Sequence, residues 1–252
     1  VTPIVISLLA CGVMLAGAAA GVGLRRVLPD HHLNDHTRDI VRLGAGLVGT
    51  MAALVLGLLI NSASGSYEAQ RSDVRQIAAD LILLDALLSQ YGPEARPIRR
   101  SLRDGAAEMV AQVWNGRDSQ SIRPSYDAET SGARIYIAIH SLAAVTAVQR
   151  AVQAQALQTA IQISRTRLVL YERSKTGLPT PLPAVLLFWL TALFASYCLF
   201  TPANATSVIA LALVALSASA ALFLILEMEE PFSGLLQISS NAISTALPPL
   251  AP

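Results

Sequence analysis

Three stretches of the chain carry no charge for long enough to leave water. Val1 to Leu24 is uncharged up to Arg25 and Arg26, Leu43 to Tyr67 is uncharged between Arg42 and Glu68, and Thr176 to Leu226 is uncharged throughout. A helix needs roughly 20 largely apolar residues to cross the hydrocarbon core, so each of the first two runs makes one crossing. The third is long enough for two, with Thr201-Pro202-Ala203-Asn204 as a turn-type break. Four transmembrane helices are therefore expected, the last two forming a hairpin over about 183–200 and 205–226. Pro179, Pro181 and Pro183 precede that hairpin, and because proline suits a helix start but breaks an interior, the third helix should begin at or just after Pro183. The small residues Leu15 to Ala20 look like a signal-peptidase site, but no basic stretch precedes them, which favours a retained span.

Between Glu68 and Gly177 the pattern becomes amphipathic with a helical period. Val74, Ile77, Leu81, Leu84 and Leu88 make one stripe, on a helix that can continue straight out of the second span and that Tyr91-Gly92-Pro93 ends. A second helix is expected over Glu94–Trp114, with Ile98, Leu102, Met109 and Val113 on its apolar face, followed by a polar loop over Asn115–Thr130. From Ser131 to Glu172 the anchors Ile135, Ile139, Leu142, Val145, Val152, Ile163 and Leu168 predict one long helix of ~60 Å with a glutamine-rich middle. Packed on the others, it would complete an elongated antiparallel helical lobe. The expected fold is thus all-α. Residues 1–66 hold the first two spans, 67–177 the aqueous lobe, 178–226 the transmembrane hairpin and 227–252 a C-terminal tail.

Composition agrees with a membrane protein: 53% of the 252 residues are hydrophobic and 14% charged, for a mean hydropathy of +0.51. A net charge of +1 gives no basic footprint for nucleic acid. Cys11 and Cys198 both lie in apolar runs without metal or redox spacing. Lys175 is the only lysine and alanine is abundant, the bias of a GC-rich bacterial gene, so the bacterial inner membrane is the expected location. Four crossings put both termini and the lobe on one side. Arg25, Arg26, Arg38 and Arg42 on the first loop nearly balance Arg71, Arg75, Arg173 and Lys175 beside the lobe, so charge does not decide which side that is.

One face of the second span collects the candidate chemistry. Gly46, Gly49, Thr50, Ala53, Gly57, Asn61 and Ser64 follow one another at helical steps, a small and weakly polar stripe. It reads either as close helix packing or as the lining of an axial pore with room for water and ions; Gly17 and Gly21 of the first span read as packing. No acidic or basic residue lies inside any span, which argues against a proton-coupled carrier. Asp85 interrupts an apolar run, and Arg99, Arg100 or Arg103 on the next helix would pair with it if it is buried. His32, Asp35 and His36 have ligand-like spacing, but no second cluster accompanies them and no metal site is expected. Glu227, Glu229 and Glu230 form an acidic collar, expected to be a solvated helix end, before the break Pro231-Phe232-Ser233-Gly234. No catalytic set is present, and neither an enzyme nor a cofactor is expected.

Several motifs together resemble the bestrophin-like bacterial membrane family. They are His32-Leu33, Leu43-Gly44-Ala45-Gly46-Leu47 leading into Ala52 to Leu59, Leu83-Leu84-Asp85, and Tyr91-Gly92-Pro93-Glu94-Ala95. Toward the end come Phe188-Trp189-Leu190, Phe194-Ala195-Ser196, Asn204-Ala205-Thr206, Phe223 to Glu227, and Pro231 to Ser240. The resemblance implies a pentameric anion channel with four spans per subunit, a cytosolic helical region between the second and third, and a pore lined by the second. It would place the lobe and both termini in the cytoplasm. The second span has few aromatics and no acidic calcium cluster is recognisable, so neither feature of the animal channels carries over. The expected partners are membrane lipid, further copies of the chain and small inorganic anions. The competing expectation is a non-conducting scaffold whose glutamine-rich helix docks another protein.

Overall fold

Four helices among the described residues are long and apolar enough to cross a membrane. The computed structural model describes residues 3–29, 34–114, 126–175, 181–200 and 204–246. The spans are α1 (Pro3–Val27), α2 (Asp35–Tyr91), α6 (Pro181–Phe200) and α7 (Ala205–Glu229). Between α2 and α6 stand α3 (Arg96–Trp114), α4 (Tyr126–His140) and α5 (Ala147–Lys175), and a short α8 (Asn241–Ser244) closes the described chain. The described residues are mostly helical, with no strand among them. α6 begins at Pro181 rather than Pro183, since the first-turn N–H groups have no intrahelical partner and a proline there loses nothing.

The chain divides into two compact units, Val1–Gly65 with Leu178–Glu229, and Ser66–Gly177 with Glu230–Pro252. α2 is one unbroken helix of 57 residues that contributes to both. In the first unit α1 packs on α6 and α7. Met14, Phe194 and Ala215 form one buried cluster, and Ala10, Ala52, Leu59, Leu186, Leu222 and Ile225 another. Hydrocarbon outside a bundle is as apolar as leucine, so such helices are held by close contact and internal hydrogen bonds. Ser219 Oγ donates such a bond to the Ser7 carbonyl of α1. Glu227 departs from the expected solvated collar. It is 2% exposed.

The second unit is built on the stripe Val74, Ile77, Leu81, Leu84 and Leu88, all buried. It packs with Ile98, Leu102 and Met109 of α3 and with Ile139, Val152 and Ala156 of α4 and α5. α5 runs antiparallel to this half of α2: Arg173 near its end binds Asp73 at 2.8 Å, and Gln149 near its start donates to the Tyr91 carbonyl at 3.4 Å. The expected single helix over 131–172 is in fact two. α4 stops at His140 and α5 starts at Ala147, and α4 begins at Tyr126, inside the stretch expected to be loop. Of that loop, 115–125 lies outside the described residues.

The corner between α4 and α5 is made by a capping box, Thr146-x-x-Gln149. Thr146 Oγ1 accepts from the Gln149 N–H at 3.1 Å, and Gln149 Oε1 accepts from the Thr146 N–H at 3.2 Å. Gln153 Nε2 then donates to the carbonyls of Ile139 (2.8 Å) and Leu142 (3.0 Å), at and just past the end of α4. Val145, read as a core anchor, is 83% exposed at this corner, and Leu168 is also exposed. Thr146→Ala should lower lobe stability by about 1 kcal/mol, with Gln149→Ala similar and the double variant less than additive, because the two side chains serve one another. Thermal unfolding followed by circular dichroism tests this; strict additivity would remove the reciprocal cap.

Candidate pore face of the second span

In its membrane portion α2 has three different faces. Ala45, Ala52, Leu59 and Ala63 are buried on one line against the first unit's core. At about 100° per residue, Gly46, Thr50, Ala53, Gly57, Asn61 and Ser64 fall roughly a third of a turn away, and all six are exposed. Further round come Leu47, Leu54 and Leu58, exposed and large. Gly49 lies at the edge of the small face, where an added Cβ would stand 4.0 Å from Leu193 Cδ1.

The glycines separate packing from openness. A Cβ on Gly46 or Gly57 would meet nothing within 4 Å. On α1, a Cβ at Gly17 would come within 2.6 Å of Thr191 Cγ2 and 2.8 Å of its carbonyl oxygen, and one at Gly21 would run into the carbonyl of Ala195. The chain's own packing therefore uses Gly17 and Gly21 of α1 and leaves Gly46 and Gly57 of α2 uncovered. Thr50 Oγ1 donates to the carbonyls of Leu47 (2.8 Å) and Gly46 (3.1 Å), so its hydroxyl hydrogen turns back into the helix. Asn61 keeps two amide N–H donors on this face.

Arg42 was not among the residues singled out on this face, yet it is exposed and stands four residues before Gly46, on the stripe's own step. Its place was legible in that spacing but hidden by counting it among loop charges. Asn34 caps the start of α2, its Oδ1 accepting from the Thr37 N–H at 2.9 Å. His36 and Asp35 lie in the first turn, while His31 and His32 are outside the described residues. No group of three or more metal-ligating side chains occurs among the described residues.

In the lobe, Asp85 takes a two-pronged bond from Arg99, Nε to Oδ1 at 2.8 Å and Nη2 to Oδ2 at 2.7 Å. Arg103 Nη2 stands 4.0 Å from Oδ2, and Arg100 is exposed. The hydrogen bond to Asp85, and then its charge, hold the Arg99 guanidinium's pKa above the ordinary arginine value against the opposing effect of burial. The motif Glu230, Pro231, Phe232 and Gly234 folds into a turn. Ser233 Oγ donates to Glu230 Oε2 at 3.1 Å, the Ile238 N–H donates to the Pro231 carbonyl at 2.7 Å, and Gly234 takes a φ of 86°, where a side chain would be strained. Phe232 meets Trp114 edge to face at 5.4 Å, and Trp114 Nε1 donates to the Ile238 carbonyl at 2.6 Å. These groups fix the tail to the end of α3.

The fold and this face define a four-span, all-helical membrane protein with a helical insert between its second and third spans. The sequence profile of the bestrophin-like domain matches residues 11–243, and the chain belongs to the bestrophin-like family. No curated protein matches the chain significantly. Two variants of a bacterial bestrophin homologue from Klebsiella pneumoniae share its fold. One superimposes with a TM-score of 0.73 at 12% identity, covering 98% of this chain and 96% of the other. The second gives 0.68 at 14%, covering 97% and 95%.

Proposed function

We propose that the chain assembles with copies of itself, as a pentamer, into a passive channel for small inorganic anions, with α2 lining an axial pore. The carrying observation is the small face of α2, uncovered by the chain's own packing, whereas Gly17 and Gly21 of α1 are packed tightly on α6. Ala53 and Gly57 set the width of the path, Asn61 offers amide hydrogens to an anion, and Arg42 raises anion concentration at one mouth. The lobe and both termini face the cytoplasm of a bacterial inner membrane. The scaffold reading has less support, since Gln149 and Gln153 of its glutamine-rich helix bond inside the lobe.

The test is halide flux in liposomes reconstituted with purified protein. Ala53→Trp and Gly57→Leu should each cut flux at least about tenfold while particle size and symmetry stay unchanged. Arg42→Gln should lower it roughly two- to tenfold at low ionic strength and far less at high salt, as screening predicts. Flux no greater than in protein-free liposomes, or flux that survives all three changes, would overturn the reading.

A further inference from the structure

α2 is one unbroken helix from Asp35 to Tyr91, so its exposed face can be followed past the small residues. Glu68, Arg71 and Arg75 stand eighteen residues after Thr50, Ala53 and Gly57 respectively, and eighteen residues make five whole turns at 3.6 per turn. All six are exposed. The side of α2 that is small and weakly polar in its membrane portion therefore becomes charged in its lobe portion, about 27 Å further along.

The three charges are not equivalent. Arg71 Nη1 stands 3.5 Å from Glu68 Oε2, one turn back, so these two largely cancel. The next carboxylates along the helix lie on its far side and are engaged there. Asp73 takes Arg173 at 2.8 Å, and Asp80, buried, takes the Gln76 amide at 3.0 Å. Among the described residues no carboxylate pairs with Arg75. Its positive charge is left whole on this face.

We infer that Arg75 selects anions over cations at the lobe end of the path, and that Glu68 limits this preference by neutralising Arg71. This rests on the channel reading, in which copies arranged about an axis with α2 inward bring their Arg75 side chains into a ring. Such a ring enriches anions and repels cations. The test is the reversal potential of the reconstituted protein in planar bilayers under a potassium chloride gradient, which gives the chloride-to-potassium permeability ratio. Arg75→Gln should lower the ratio about two- to tenfold and Arg75→Glu further, both effects shrinking as salt rises. Arg75→Lys keeps the charge and should keep the ratio. Glu68→Gln should raise it about twofold or more by freeing Arg71, and adding Arg71→Gln should bring it back to the native value. Arg100→Glu makes the same reversal at an exposed position of α3 and should leave the ratio unchanged. All these side chains are exposed, so particle size and symmetry should not alter. Currents whose ratio ignores Arg75→Glu, or follows Arg100→Glu as closely, would overturn the role of Arg75 and leave the channel reading standing. A ratio that Glu68→Gln lowers or does not move would overturn the role of Glu68. Absence of current from the native protein would overturn the channel reading and both roles with it.

Discussion

Replacing Asp85 with alanine should cost the lobe about 3 kcal/mol, at the low end for a broken buried ion pair because some solvent reaches it. The side chains of Arg99 and Asp85 are 17% and 12% exposed, so neither charge is fully hydrated once its partner is gone. The order of single changes is the sharper expectation. Without Asp85, the guanidiniums of Arg99 and Arg103 are left together with no carboxylate between them. Without Arg99, Arg103 already stands 4.0 Å from Oδ2 and can close on it. Asp85→Ala should therefore cost more than Arg99→Ala, and adding Arg99→Met to Asp85→Leu should recover most of the loss, since a well-packed apolar pair replaces a buried ion pair at little cost. Chemical unfolding in detergent, followed by far-ultraviolet circular dichroism, measures all four. Equal losses for the two single changes would mean that Arg103 takes no part.

The positions of the spans were legible because nothing but hydrocarbon tolerates an uncharged run as long as 43–67, and the lobe half of α2 because its apolar positions keep one face for about four turns. The α4–α5 corner was missed for the same reason that made α2 easy. Val145 and Val152 stand seven residues apart, about two helical turns, so periodicity alone runs straight through the break, although Val145 is exposed. The Thr146-x-x-Gln149 signature was present in the sequence, but the glutamines were weighed as a surface feature and not as caps. Burial of Glu227 had no sequence signal, since a carboxylate just past a span ordinarily reaches water.

The small stripe was legible as a stripe and ambiguous as to purpose. Glycines four apart serve a close crossing and an open path equally well in one dimension. The two cases differ only in what stands opposite, and for α1 that is the backbone of α6. Family membership adds the architecture. The exposed small face of α2 supports the proposal that this helix, and not α1, lines a path.

The same contrast yields the second large effect, Gly21→Leu, which should destabilise the transmembrane unit by about 3 kcal/mol or more. A Cβ there would collide with the Ala195 carbonyl oxygen, with the carbonyl carbon at 2.9 Å and Cα at 3.0 Å. Backbone cannot rotate out of the way as a side chain can, so α1 and α6 must part along the contact that joins them most extensively. Separation forfeits dispersion contacts that lipid restores only in part. Gly12 is the internal control: it is on the same helix, is exposed, and has nothing within 4 Å of an added Cβ. Gly12→Leu should stay within about 0.5 kcal/mol of the native protein. Unfolding in mixed micelles of rising denaturing-detergent fraction, read by tryptophan emission, compares them directly. Trp189 on α6, near the α1 contact at Thr191, should report the Gly21 change as an early transition. If the two leucine variants unfold together, the α1–α6 crossing is looser than its glycines require, and the argument separating packing glycines from the open face of α2 falls with it.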